Sequence, residues 1–135
     1  MQELKIEAKE DNLYLVMEAL EEYIRGQCSD DVRDQLLICV DELFINIAHY
    51  AYEGEVGEAI IQMEIREEPK RLKVVFLDRG IPYNPLEKED PDITLSAEDR
   101  KIGGLGIFMV KDFTDYQEYE YVDGYNKFTI EKLLF

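Results

Sequence analysis

The segment VDELFINIAHY, residues 40–50, places a carboxylate, a carboxamide and an imidazole on one stripe of a predicted helix. Glu42 and Asn46 are four residues apart, so a helix puts them on one face a turn apart, and His49 follows on the same stripe. A carboxylate placed in this way can act as a general base, and a carboxamide oxygen suits a hard cation. Glu and Asn at this spacing are also common on solvated helix faces, and a lone His is usually structural, so the stripe alone does not establish a site.

A second segment, VVFLDRGIPYNP, contains a predicted strand that ends in Asp78 and is followed by Gly80. A carboxylate at a strand end can accept a hydrogen bond from an exocyclic amine, and Gly80 would let a flat ring approach the backbone. Ordinary Asp-x-Gly turns use the same residues, so this segment leaves both interpretations open.

The third segment has glycine at positions 103, 104 and 106, directly before an apolar run that predicts a helix. Glycines before a helix let several backbone N–H groups point at one anion, and the helix dipole adds attraction. The spacing differs from the phosphate loop GxxxxGK[ST] and from the dinucleotide fingerprint, and a flexible hinge is an alternative. Arg100 and Lys101 precede these glycines and could neutralise the charge of an anion.

Composition limits the classes of function that these segments could serve. The chain has 135 residues, 31 Asp and Glu against 15 Lys and Arg, and a formal charge of −16. This acidity disfavours nucleic acid and anionic membranes as partners, because both need clustered basic residues. With two cysteines, no leader pattern and no long apolar stretch, we expect a cytoplasmic protein in which Cys39 is a buried, reduced thiol.

The elements that must position these residues follow from periodicity and turn signals, and residues 1–135 are expected to form a single domain. The predicted strands are 2–8, 58–66, 72–77, 117–122 and 126–134, and the predicted helices are 12–26, about 30–52 and the glycine stretch to about 113. Strands joined as hairpins favour an α+β two-layer sandwich, with an antiparallel or mixed sheet and helices on one face. The long polar segment 78–100 is expected to act as an approach and lid.

Taken in order, the three segments resemble the GHKL ATPase superfamily, and most closely its small branch of anti-sigma factor serine kinases. The E-x-x-x-N helix of the family matches Glu42 and Asn46, and its D-x-G strand end matches Asp78 to Gly80. Its glycine box, G-x-G at the start of the next helix, matches Gly104-Leu105-Gly106. A late Thr on a closing strand matches Thr129. The resemblance covers nearly all of residues 2–134 and implies a histidine kinase-like ATPase domain with the Bergerat ATP-binding fold.

The resemblance implies a role for each matching residue. Asn46 resembles the ligand that holds Mg²⁺ against the phosphates of ATP, and Glu42 the general base. Asp78 resembles the acceptor for the adenine amine, with Gly80 beside it and Thr129 as a supporting contact. The phosphates would meet the glycine box, and the residues expected there are Lys101, Gly103, Gly104, Leu105 and Gly106.

The sequence departs from the family after Asn46. Some family members have His four residues later, whereas this chain has Tyr50 there and His49 one position earlier. Related kinases often carry a phosphate-contacting Lys at the position of His49. We therefore expect His49 to replace that Lys and the Tyr50 hydroxyl to contact the same phosphates.

The reaction implied by the resemblance transfers the γ-phosphoryl group of ATP to a Ser or Thr of a small partner protein. That partner would be an anti-sigma factor antagonist, so the effect on transcription would be indirect. A sigma factor as second partner and a homodimer are left open. Two alternatives use the same ATP site: a nucleotide-gated partner-binding module, and a plain ATPase with no protein acceptor.

Overall fold

The computed structural model describes residues 1–87 and 105–135, with Leu105 described by its backbone alone. The strands are β1 (Gln2–Glu7), β2 (Glu58–Arg66), β3 (Arg71–Asp78), β4 (Tyr116–Val122) and β5 (Tyr125–Leu133), and the helices are α1 (Leu13–Ile24), α2 (Asp30–Asn46) and α3 (Leu105–Phe113). Short 3-10 turns occupy Glu10–Asn12 and Pro85–Glu87, and a π-helical turn, Ile47–Ala51, extends α2. These elements confirm the predicted order.

The five strands form one sheet in the order β1-β2-β3-β5-β4, and every ladder among the described residues is antiparallel. One row of paired positions crosses the whole sheet and carries Leu4, Ile61, Phe76, Phe128 and Tyr119. All five residues belong to the hydrophobic core cluster or pack against it. Because successive side chains of a strand alternate between faces, this row identifies the face that packs on the helices.

The helices bury apolar stripes at the spacing that the sequence predicts. In α1 the buried residues are Val16, Leu20 and Ile24, and in α2 they include Leu36, Val40 and Phe44. The α2 helix contacts both α1 and α3, so it is the central member of the helical layer. None of the helices in the described part of the chain is long and apolar enough to cross a membrane.

The α2 helix begins at a conventional N-cap. Ser29 has an extended backbone and its Oγ accepts a hydrogen bond of 3.2 Å from the backbone N–H of Val32. Asp30 and Asp31 in the first turn place negative charge beside the positive end of the helix dipole. These local signals explain why the helix starts at the predicted residue.

Cys39 lies within this helix and is fully buried in the core. Burial raises the pKa of its thiol to about 12. The thiol therefore remains protonated at neutral pH and serves as a small apolar core residue. Its burial in reduced form agrees with the expectation from the sequence.

The cap gives the first prediction. Ser29→Ala should lower the free energy of unfolding by about 1 kcal/mol, since the Val32 N–H loses its acceptor. Urea denaturation monitored by circular dichroism measures the change. Ser29→Thr keeps a hydroxyl at the cap and should lose less than half as much. Equal losses for both variants would show that the hydrogen bond does not stabilise the helix.

Candidate active site

A cavity of about 600 Å³ opens between α2 and the sheet, at the end where β3 finishes. The walls come from α2 and its π turn on one side, from β3 and β5 on the other, and from residues 81–85 at the edge. Most of the lining is apolar, and the polar and titratable side chains that converge on it include Glu42, Asn46, His49, Tyr50, Asp78, Tyr119 and Asn126. An apolar cleft with a few convergent polar groups is typical of a small-molecule site.

The α2 wall carries Glu42 and Asn46 one helical turn apart, and both are half-buried and line the cavity. The π turn then adds one residue to the helical turn, an irregularity that is frequent at functional sites. His49 and Tyr50 lie in this turn and also line the cavity. The four residues that the sequence assigned to this wall are thus brought together.

His49 and Tyr50 lie at the rim of the cavity. The His49 Nε2 atom is 3.4 Å from Oε2 of Glu10, and its ring meets that of Tyr50 edge to face with centroids 5.9 Å apart. Tyr50 is 66% exposed. Both side chains line the cavity from its rim, and their contact with phosphate stays a prediction.

Asp78 is the last residue of β3 and is 6% exposed. Its Oδ1 accepts hydrogen bonds of 2.9 Å from the backbone N–H of Gly80 and from Nδ2 of Asn126. Burial raises the pKa of the Asp78 carboxyl, and the hydrogen bonds from Asn126 and Gly80 act in the opposite direction. The carboxylate is thus a desolvated acceptor held at the inner end of the cavity.

Gly80 follows Asp78 but is not among the cavity-lining residues. A Cβ atom at Gly80 would collide with the backbone carbonyl of Ala51, the residue that ends the π turn. That same carbonyl accepts a hydrogen bond of 3.0 Å from the N–H of Ile81. Glycine is required here because the loop packs directly on the end of the helix, which differs from the expected approach of a flat ring.

Gly106 lies in the first turn of α3, and a Cβ atom there would run into the carboxylate of Glu42. The Glu42 side chain therefore packs against the start of α3, where the dipole attracts negative charge. This contact joins two of the three segments that the sequence singled out.

The expectation for Thr129 is wrong. In the β3–β5 ladder Thr129 stands opposite Val75, whereas the site residues Phe76 and Asp78 stand opposite Phe128 and Asn126. Neighbouring positions of a strand point to opposite faces, so Thr129 lies on the face away from the helices. It does not line the cavity.

The residue that faces Asp78 across the ladder is Asn126, which is 7% exposed and lines the cavity. Sequence reasoning missed it. The signal was the alternation of β5, in which Phe128 and Ile130 are buried in the core and Asn126 shares their phase. A polar residue in that phase belongs to the inner face of the sheet.

Part of the predicted site lies outside the described residues. This holds for Lys101, Gly103 and Gly104, and for most of the predicted lid. Leu105 is described only as the first residue of α3. The roles expected for these positions stay predictions.

Comparison with known proteins identifies the class to which this fold and cavity belong. Residues 6–132 match the family described as the histidine kinase-like ATPase domain, so the chain belongs to this family. The chain is also similar to the serine/threonine-protein kinase BtrW of Bordetella bronchiseptica, with 27% identity over 79% of this chain and 75% of that protein. It is likewise similar to the serine-protein kinase RsbW of Bacillus cereus, with 29% identity over 84% of this chain and 72% of that protein.

Solved structures support the fold. The RsbU and RsbW domains of Rv1364c from Mycobacterium tuberculosis superpose with a TM-score of 0.68 at 14% identity, covering 99% of this chain and 33% of that one. The histidine kinase domain of a blue-light activated kinase from Erythrobacter litoralis gives a TM-score of 0.54 at 16% identity, covering 92% of this chain and 60% of that one. These likenesses establish the two-layer architecture.

Asp78→Asn tests the buried carboxylate. The pKa of Asp78 is raised in the folded protein, so ionisation of this carboxyl opposes folding. The wild-type protein should therefore lose stability as the pH rises above about 4, the pKa of an aspartate in the unfolded chain. The amide oxygen of the substituted side chain can still accept the two hydrogen bonds that Oδ1 receives. We expect a higher melting temperature than wild type at pH 7 and no difference below pH of about 3.5.

Adenine nucleotide binding by the same variant should weaken by roughly tenfold or more, since an amide can present a donor where an acceptor is needed. Calorimetric titration with ATP measures the affinity. Asp11→Asn, at an exposed position on the 3-10 turn, is the control for net charge and should match wild type. Unchanged affinity for Asp78→Asn would remove this carboxylate from the site.

Gly106→Ala tests the contact between α3 and Glu42. In a Glu42→Ala background the collision is absent, and alanine should stabilise the helix by up to about 1 kcal/mol. In the wild-type background the new methyl group must displace the carboxylate, so the gain should vanish or reverse. Urea unfolding of the four proteins gives the coupling energy, and additive effects would contradict the contact.

Proposed function

We propose that this chain is an ATP- and Mg²⁺-dependent protein serine/threonine kinase. The observation that carries the proposal is that one cavity brings Asp78 of β3 together with Glu42 and Asn46 of α2, a helix much earlier in the sequence. Two relatives named as serine or serine/threonine kinases support it, as does membership of the ATPase family. By the same likeness the substrate is an anti-sigma factor antagonist, and the protein acts in the cytoplasm as an indirect regulator of transcription.

The nucleobase is assigned to the inner end of the cavity. Asp78 supplies an acceptor there, and the aromatic side chains of Phe76 and Phe128 contribute to the apolar lining. A buried acceptor surrounded by apolar side chains suits a planar base with one exocyclic donor, because only that donor needs a partner. The 6-amino group of adenine satisfies this condition.

The phosphates are assigned to the outer end, between Asn46 and the start of α3. The N-terminus of a helix attracts anions through its free N–H groups and its dipole. Among the described residues, no group of three or more His, Cys, Asp or Glu side chains is arranged to hold a metal ion. In a nucleotide site Mg²⁺ takes one or two protein ligands and completes its shell with phosphate oxygens and waters.

Asn46 would hold this ion through its carboxamide oxygen, and the bound Mg²⁺ would neutralise phosphate charge that develops during transfer. The Tyr50 hydroxyl and the His49 ring, which both line the cavity, would donate to the phosphate oxygens. The side chains of this wall would thus position the phosphates and donate hydrogen bonds to them.

Glu42 is assigned as the general base. Its carboxylate lines the cavity against the first turn of α3, near the place proposed for the terminal phosphate. The acceptor Ser or Thr oxygen forms a bond to the γ-phosphorus as the bond from that phosphorus to ADP breaks, and Glu42 takes the hydroxyl proton. Orienting the hydroxyl is part of the same role.

Glu42→Gln separates this chemistry from binding. Gln keeps the size and one acceptor oxygen, so ATP affinity should stay within about threefold while transfer falls by roughly 10²-fold, the lower end of general-base effects. The assay is single-turnover transfer from radiolabelled ATP to a purified anti-sigma factor antagonist of the same source, with affinity measured in parallel. Glu18→Gln, exposed on α1, is the control for charge.

Equal transfer rates for wild type and Glu42→Gln would remove Glu42 from catalysis. Tight ATP binding without transfer, together with a nucleotide-dependent partner complex, would favour the binding module. Steady hydrolysis of ATP without any acceptor protein would favour the plain ATPase.

A further inference from the structure

Asn126 is a buried carboxamide to which the proposed reaction assigns no task. Its Nδ2 donates hydrogen bonds of 2.9 Å to Oδ1 of Asp78 and 2.9 Å to the backbone carbonyl of Ile81. Its Oδ1 accepts from the backbone N–H of Tyr83 at 3.1 Å and from the hydroxyl of Tyr119. Both amide hydrogens and both lone pairs of the carboxamide are therefore in use.

These partners permit one orientation of the carboxamide. A flip would turn the amide hydrogens toward the N–H of Tyr83 and turn the oxygen toward the carboxylate of Asp78 and the carbonyl of Ile81. Donors would then meet donors and acceptors would meet acceptors in a buried place, where unpaired polar groups are costly. The donor aimed at Asp78 is consequently fixed.

This donor decides which oxygen of Asp78 is free. Oδ1 receives hydrogen bonds from Asn126 and Gly80, whereas Oδ2 has no hydrogen bond to any described residue. Asp78 lines the cavity, and no described side-chain polar atom is buried without a partner. Oδ2 is thus the acceptor that the carboxylate offers to a ligand.

Asn126 also connects Asp78 to the edge of the cavity. The segment after β3 is held to Asn126 through Ile81 and Tyr83, and both of these residues line the cavity. One side chain therefore determines the position of the acceptor relative to the wall beside it. A flat base that fills the cavity beside this wall must therefore place its hydrogen-bond donor at Oδ2 of Asp78.

We propose that Asn126 is the positioning residue that makes this site selective for a 6-aminopurine, by saturating Oδ1 of Asp78 and leaving Oδ2 to accept from the amino group. The inference rests on the proposed ATP site and adds the residue responsible for its base selectivity. In support, the hydrogen bond from Asn126 lowers the pKa of Asp78 against the effect of burial, which favours the acceptor form of the carboxyl.

The test compares two ligands that differ only in the 6-amino group: ATP and the triphosphate of purine riboside. Calorimetry with Mg²⁺ gives both dissociation constants for wild type, Asn126→Ala and Thr129→Val. We expect wild type to prefer ATP by roughly ten- to hundredfold, the scale of a hydrogen bond to a charged group. Asn126→Ala should reduce this ratio to below about threefold. Thr129→Val, a buried change in the same strand on the opposite face, should keep it.

The ratio of the two dissociation constants shows whether Asn126 positions Asp78 for the 6-amino group or only stabilises the fold. If Asn126→Ala weakens both ligands equally, or keeps the wild-type ratio, the inference is overturned while the proposed function stands. If wild type binds no ATP, the proposed function fails and this inference fails with it. Thermal melts monitored by circular dichroism show whether each variant is folded.

If Asn126→Ala does not fold, the side-chain amide of Asn126 is followed in wild type by nitrogen–proton correlation NMR. We expect its two proton signals to exchange slowly with water and to shift when ATP binds, but not when the triphosphate of purine riboside binds. Rapid exchange, or equal shifts with both ligands, would overturn the inference.

Discussion

A carboxylate buried at the end of the sheet is the constraint on which the site depends. Asp78 lies in β3 where water is largely excluded, and burial penalises its charged form. The two hydrogen bonds at Oδ1 offset part of that penalty: the one from Gly80 is local, and the one from Asn126 exists only because the folded chain brings that side chain there. A core position that would otherwise take an apolar side chain thus retains an acceptor for a ligand.

The same α2 helix positions both ends of the cavity. Near its middle Glu42 meets the start of α3 at Gly106, and at the end of its π turn Ala51 meets the loop at Gly80. Both contacts exist because glycine leaves no Cβ atom in the way, so backbone and carboxylate approach closely. We therefore expect a structural change at one of these two contacts to alter the other, because α2 and its π turn connect them.

Charge sets a second condition on the proposed function. With a formal charge of −16 the chain repels a nucleoside triphosphate at long range, and this repulsion weakens as salt is added. Attraction must be local, and the positive end of α3, the donors at the rim and a bound Mg²⁺ would supply it. An acidic chain can bind an anion when a few donors converge on it at short distance.

Local signals in the sequence determined the elements, because periodicity, caps and turn residues act between near neighbours. The α2 helix begins at Asp30 behind its Ser29 cap, and the short gap predicted between the last two strands holds the turn at Asp123 and Gly124. The order of the Glu42, Asp78 and glycine segments was sufficient to predict the family. Tertiary structure decided which residue faces Asp78, since Asn126 is 48 positions away and strand register selects it over Thr129. A shift of one residue reverses the face of a side chain, and that choice depends on pairing across the whole sheet.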